Sequence, residues 1–428
     1  MKLPETLTLR STAAAAAARP RDVAPRRAAE DRRRAAEDRR RVAEERPREP
    51  AQNHGDGSLL SASVILTCIG VVMIYSITAP LAEAGTLPGH FVRHLGGIAA
   101  GIVCAAVAYR VPLSTWRRLA LPGWAAAVVL LALTLVIGVK VNGARRWLAL
   151  PGAGMAFEPV ELAKLATLFA IAHVLTQREG QSAFAPVKLV LPLALAAVPA
   201  AILLRQPDMG NAVVLLALTG ALFFAAGAPL RFFVIPAGVV AAGVAAYIAT
   251  HPYAAARVTA FLRPWETSGA EGYQLVQSFV AFGRGQVFGV GIGAGRQKLD
   301  YLPEAHTDFI LSSVAEELGL VGVLVVIGAF AALLLGGLRV ARRARDRFSL
   351  LVAFATTLFL TLPAAVNAAV VMGLLPTKGL ALPFLSYGRS SILACFTALG
   401  LLLGIARREA APVRPPIAGA GRRGLVRT

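Results

Sequence analysis

The stretch DFILSSVAEELGLVGVLVVIGAFAALLLGGL, Asp308 to Leu338, decides the fold class. After Glu317 it carries no charge until Arg339. A run of this length and hydropathy reads as a membrane-spanning helix that tilts or begins outside the hydrocarbon. Directly before it lies GYQLVQSFVAFGRGQVFGVGIGAGRQKLDYLPEAHT, Gly272 to Thr307, polar and rich in glycine. Glu304, His306 and Asp308 stand at the join, and Glu316 and Glu317 follow. Carboxylates at a membrane boundary are costly unless they are paired or used.

Working outward, similar apolar runs recur from Ser58 to Ile405. Of the 428 residues 56% are hydrophobic and only 16% charged, well below the roughly quarter expected of a soluble chain. The runs are long and continuous, which excludes the short alternating strands of a membrane barrel. The class is an all-α polytopic membrane protein. About ten spans are expected, near residues 58–80, 91–109, 119–139, 158–177, 188–204, 211–228, 231–250, 308–338, 348–373 and 385–406. Residues 1–57 read as a solvated, disordered tail with the internal repeat AAEDRRR, and 407–428 as a second one. The first apolar run starts too late for a signal peptide.

The net charge of +20 does not indicate nucleic acid. Its cations lie in the first tail and in short loops, as the positive-inside rule places them. Ten spans put the tail, Arg110, Arg117, Arg118, Arg178 with Lys188, the Arg339 to Arg347 cluster and Arg407-Arg408 on the cytoplasmic side, with both termini. The outer side then still holds Lys140, Arg145, Arg146, Arg205, Arg257, Arg263, Arg284, Arg296, Lys298 and Lys378. Cations kept there against the bias suit an anionic substrate on the outer face, though lipid headgroups would also attract them. Cys68, Cys104 and Cys395 all fall in apolar runs and read as small hydrophobes.

Five motifs carry chemistry. In NGARRWLALPGAGMAFEPVELAK, Asn142 to Lys164, adjacent arginines suit a phosphate or pyrophosphate, or a headgroup anchor, and Glu161 and Lys164 share a helix face. In RQPDMGNA, Arg205 to Ala212, Gln206, Asp208 and Asn211 suit cross-helix hydrogen bonds. The loop 251–307 has glycines that permit tight turns but follow no strand, which excludes a dinucleotide fingerprint. In LPEAHTDFI, Asp308 begins a span, where desolvation can make a carboxylate a general base, or where it can cap the helix; Glu304 and His306 are candidate orienting groups. In LLPTKGLALPFLSYGRSS, Lys378 lies in a turn between the last two spans, placed to pair with Asp308, to neutralise phosphate, or to snorkel. No metal-ligand cluster stands out.

Together NGARRWL with ELAK, QPDMGNA, GRGQVFGVGIGAGRQKLDYLPEAHTDFI with EELG, and LLPTKGLALPFLSYGRSS resemble the SEDS family (shape, elongation, division and sporulation). YLPEAHTDFI and LPTKG are similar to its FtsW-like division branch rather than the RodA branch. The resemblance spans Ser58 to Arg408. It implies a ten-span fold with a large extracytoplasmic loop between spans 7 and 8. It also implies peptidoglycan glycosyltransferase activity on lipid II in the bacterial cytoplasmic membrane, at the septum. By the same resemblance Asp308 matches an essential aspartate, Lys378 a functional lysine, Arg145 and Arg146 an arginine pair, and Glu304 the acidic residue of PEAHTD. His306 and Arg205 join the expected substrate contacts. The implied partners are the growing glycan strand, a class B penicillin-binding protein and other divisome proteins. A divalent cation, Mg or Mn, could assist. A lipid II flippase and a non-catalytic division scaffold are the alternative readings, the first resting on Glu316 and Glu317. Three features depart from the family pattern: Glu158-Pro159-Val160-Glu161 replaces Gln-Pro-Ser-Glu, Gly388-Arg389 replaces two glycines, and the long N-terminal tail lies outside it.

Overall fold

The computed structural model describes residues 54–81, 86–141, 144–150, 155–177, 186–229, 231–269, 272–299, 302–303 and 305–410. Both expected tails lie wholly or mostly outside them. Among the described residues there are twelve α-helices: α1 His54–Thr78, α2 Gly89–Arg110, α3 Leu113–Ile137, α4 Val160–Thr176, α5 Pro186–Arg205, α6 Met209–Ala225, α7 Arg231–Thr250, α8 Pro252–Leu262, α9 Tyr273–Gly285, α10 Ile310–Arg343, α11 Arg347–Val371 and α12 Arg389–Ala410. Ten fall on the ten expected apolar runs, and α8 and α9 lie in the large loop. Six of the ten (α1, α2, α3, α10, α11 and α12) are long and apolar enough to cross a membrane. The chain is an all-α polytopic membrane protein of the expected class.

α2 packs along α12, α10 against α1 and α11, and α3 along α4. Leu168, Ile171, Leu311, Val314, Leu351 and Leu402 are fully buried where these helices meet. α4 is enclosed almost all round, which explains why a helix of 17 residues suffices there. At the end opposite the large loop, arginines close helix C-termini: Arg347 donates to the Ala226 carbonyl and Arg408 to that of Val111, each at 2.7 Å.

Two features were not expected. The first is a small antiparallel sheet between α3 and α4, made of β1 Val139–Val141, β2 Ala144–Leu150 and β3 Met155–Phe157. The second is a break in the deciding stretch itself. Gly319 has φ 68° and ψ −163°, so α10 is two helices joined at a non-helical residue. The glycine-rich loop repairs the break. Val290 and Gly291 donate their N–H groups to the Glu316 and Glu317 carbonyls, while Leu320 and Val321 donate to Gln286 and Val287. Irregular backbone at membrane depth is tolerated only when its polar groups are satisfied in this way.

The two adjacent carboxylates hold the rest of that loop. Glu316 pairs with Arg284 at 3.0 Å and accepts from the Arg296 and Gln297 amides at 2.9 and 3.1 Å. Glu317 pairs with Lys298 at 2.8 Å and accepts from the Gly293 amide at 3.0 Å and from the Ser76 hydroxyl of α1. Both are 1% exposed. Among the described residues, the cysteines are free. Cys395 is buried as expected, but Cys68 faces outward from the bundle.

A Cβ at Gly319 would lie 2.3 Å from the Gly289 nitrogen and 2.5 Å from the Val287 oxygen. Gly319→Ala should therefore lower stability by roughly 3 kcal/mol. Gly328→Ala on the same helix meets nothing within 4 Å and serves as the control. Thermal unfolding in detergent measures both; equal Tm values would contradict this account of the break.

Candidate active site

Three loop segments converge at the end of the bundle that carries α8 and α9. The segment before α10 brings His306, Thr307 and Asp308. The segment between α11 and α12 brings Thr377, Lys378, Gly379 and Tyr387. The sheet and the turn before α6 bring Arg146, Glu158, Pro207 and Asp208. Together with Glu161 and Lys164 of α4, Asn211 of α6 and Arg257 of α8, they enclose a cavity of about 710 Å³.

The backbone around Asp308 is fixed from three sides. Asn367 of α11 donates its Nδ2 to the Asp308 and Leu380 carbonyls, both at 2.7 Å. Ser386 donates its hydroxyl to the Thr307 carbonyl, and the Tyr387 amide donates to that of His306 at 2.8 Å. Asn367 is fully buried, so these bonds are shielded from water. The Asp308 carboxylate rests on Gly379, where a Cβ would stand 2.6 Å from its Oδ2. Any side chain there would push the carboxylate out of place.

Opposite lies a cationic wall. Arg146 donates to the carbonyls of Gln206 and Pro207 at 3.2 and 2.7 Å. Arg257 donates to the Thr377 carbonyl at 3.2 Å. Lys378 runs across Gly210, whose Cβ would come within 2.1 Å of its Cε. Among the described residues no hydrogen-bond or ion-pair partner meets its ammonium. Burial pushes the Lys378 amine down to about 8; Arg257 and Arg146 push the same way, and Asp208 opposes them.

Below this wall is a buried polar layer. Lys164 is 2% exposed and donates to Glu161 at 2.8 Å and to Asn211 at 2.9 Å. Asn211 in turn donates to Asp208 at 2.7 Å. Glu158, in the turn before α4, is pushed up to about 8 by burial and then by Glu161 and Asp208, so it holds a proton at neutral pH. Its amide donates to the Ser390 hydroxyl at 2.8 Å, which ties the turn before α4 to the residue that follows Arg389.

The structure gathers Asp308, Lys378, Arg146 and His306 of the expected set. It does not gather Arg145 or Arg205. Neighbouring side chains on a strand point to opposite faces, so Arg145 turns away from Arg146 and donates to the Leu135 and Val136 carbonyls at the end of α3. Arg205, at the end of α5, is exposed and outside the cavity lining. Glu304 lies outside the described residues. Glu158, Asp208, Asn211 and Arg257 were not singled out as site residues. Their signal was present, because polar side chains next to apolar runs rarely sit there idle. Among the described residues no group of three or more His, Cys, Asp or Glu side chains is placed to hold a metal ion.

Residues 58–411 match the model of the cell cycle protein family that groups FtsW, RodA and SpoVE, and the chain belongs to this family. The probable peptidoglycan glycosyltransferase FtsW of Geobacter sp. (strain M18) is 41% identical, with 82% of this chain and 97% of that protein covered. That of Acinetobacter baylyi is 38% identical, with 84% and 91% covered. Among solved structures, a chain of a peptidoglycan synthase complex that coordinates polymerization and crosslinking is similar at a TM-score of 0.69 and 29% identity, with 82% and 97% covered. The rod shape determining protein RodA of Thermus thermophilus is similar at a TM-score of 0.61 and 27% identity, with 82% and 96% covered.

The Lys378 environment sets a pH signature. Its ammonium is charged below about pH 8 and lost above it. A step that uses this charge will slow as pH rises through about 8, while K378R keeps its charge past pH 12 and should lose that descending limb. Rate profiles of the purified protein and the variant test this; parallel alkaline limbs would remove Lys378 from the charged step.

Proposed function

We infer that this chain is a peptidoglycan glycosyltransferase that polymerises lipid II into glycan strands during cell division. The observation that carries the reading is the placement of Asp308 in one cavity with Arg146, Arg257 and Lys378. Names of relatives at about 40% identity support it. The loop end faces the outside of the cytoplasmic membrane, with both termini in the cytoplasm and the enzyme at the septum. The positive-inside pattern supports that orientation.

The donor is the reducing-end sugar of the growing strand, linked to polyprenyl pyrophosphate. The acceptor is the GlcNAc of lipid II. Asp308 takes the proton from the acceptor 4-hydroxyl, whose oxygen attacks the donor anomeric carbon with inversion. The bond to the pyrophosphate oxygen breaks, and charge grows on that leaving group. Arg146, Arg257 and Lys378 stabilise it through charge-assisted hydrogen bonds. The three backbone contacts around Asp308 keep its carboxylate aimed at the cavity, so little reorganisation accompanies the transfer. Asp308 returns its proton to water before the next cycle.

The partner is a single-span class B penicillin-binding protein with other division proteins; the similar chain in a peptidoglycan synthase complex supports this. A flippase reading rests on Glu316 and Glu317 as charge within the membrane depth. Arg284, Lys298 and the loop amides occupy both, which favours the transferase.

The test is lipid II polymerisation by the chain with its transpeptidase partner. Asp308→Asn should lower the rate by about two to four orders of magnitude, and Lys378→Ala by about two to three. Polymerisation at the normal rate by Asp308→Asn, with the complex intact, would refute the assignment of the base.

A further inference from the structure

The cavity has a second cationic wall that the scheme above does not use. Arg389 lines it at the first residue of α12. A guanidinium is charged at every accessible pH, and a charge in a protein interior without a counter-ion costs several kcal/mol. Among the described residues nothing accepts from Arg389, and one of its terminal nitrogens is buried with no partner. Its stem lies against α2, with Cγ 3.7 Å from the position a Cβ would take at Gly97.

His94 stands one turn earlier on the same face of α2, and His90 one turn before that. His94 is fully buried, and among the described residues both its ring nitrogens lack partners, as does Nδ1 of His90. Tyr387, two residues before Arg389, is ringed by three imidazoles. Its ring centroid lies 5.2 Å from His90, 6.3 Å from His94 and 5.7 Å from His306. Buried polar atoms without partners are few in folded proteins, and here four lie on Arg389 of the cavity lining and on the two histidines beside Tyr387. Arg389 can only donate, and each neutral imidazole presents one N–H donor and one acceptor nitrogen.

We propose that this wall is a phosphate-binding subsite in which Arg389, backed by His90 and His94, holds the pyrophosphate of a second lipid-linked sugar. The inference rests on the glycosyl-transfer reading and deepens it. Transfer between two lipid-linked sugars brings two pyrophosphates to one cavity. One departs, and the wall of Arg146, Arg257 and Lys378 meets its growing charge. The other stays on the acceptor and needs a cation that binds without driving departure. Arg389 fits that role. It lies on the α2 side of the cavity, at the wall that Tyr387 and His306 share, and its planar fork matches phosphate oxygens. Arg389 is a binding residue here and touches no bond that breaks.

The experiment counts ligands on the full-length protein in detergent by native mass spectrometry, with undecaprenyl pyrophosphate as one probe and inorganic pyrophosphate as the other. Wild type should bind two lipid pyrophosphates per chain. Arg389→Gln should keep one and weaken the other at least about tenfold, and Arg389→Lys should restore part of it. Lys378→Ala should also drop to one, and the remaining site shows that each variant is folded. Two sites filled by inorganic pyrophosphate would show that phosphate alone is recognised; two filled only by the lipid would show that the tail contributes. Arg389→Gln protein that still binds two, or wild type that binds one, would overturn the subsite. Wild type that binds two yet makes no glycan would instead sink the transferase reading and leave the subsite standing.

Discussion

Glu316 and Glu317 are neighbours on one helix, fully buried, and both are tied to a loop that precedes them in the chain. The site depends on this tie. Without it, α10 would have no reason to break at Gly319, and the carbonyls and amides freed there would lack partners. With it, the loop between Gln286 and Lys298 folds into the bundle and fills the break with its own backbone. Two like charges side by side would repel, so each needs its own cation and its own amides. Arg284 and Lys298 supply the cations; Gly293, Arg296 and Gln297 supply the amides. A buried ion pair is rarely a source of net stability compared with an apolar one, but removing a single partner costs about 3–5 kcal/mol. The arrangement therefore specifies where the loop lies more than it stabilises the bundle.

From that fixed loop the chain runs a few residues to Asp308, where Asn367, Ser386 and Tyr387 take over. The backbone that carries the Asp308 carboxylate is thus held by α11 and by the segment before α12. The opposing cations come from β2, α8 and the same segment. Elements far apart in sequence each contribute one or two side chains at a single end of the bundle. Such a site holds its charges apart while it is empty and brings them to bear on a substrate that spans them. Glycine at 210 and 379 makes room for this, because the Lys378 stem and the Asp308 carboxylate occupy the space a Cβ would take.

Much of this was legible in the sequence. Long apolar runs fix ten helices, since no other backbone arrangement satisfies itself in hydrocarbon over that length. Asp308 and Lys378 were legible as rare charges at span ends. The pairing of Glu161 with Lys164 followed from a spacing of three residues. What failed to show was local geometry. Adjacent arginines suggest one clamp, but a short strand sends Arg145 to the end of α3 and Arg146 into the cavity. Strand periodicity is weak over seven residues flanked by glycine and proline. The break at Gly319 was hidden because a glycine within an apolar run has no pattern of its own, and the loop that repairs it lies some thirty residues earlier. Glu158, Asp208 and Arg257 come from three separate segments, and only the fold places them around one cavity.

In the proposed transfer the reacting sugar meets Asp308 while pyrophosphate lies on Arg146, Arg257 and Lys378. A structure of the Asp308→Asn protein with lipid II bound in its cavity tests this most directly. The expected result is an acceptor 4-hydroxyl within hydrogen-bonding reach of residue 308 and a phosphate group in contact with the cationic walls. A lipid II headgroup seated at the other end of the bundle, or in the cavity with its sugar hydroxyls turned away from residue 308, would contradict it.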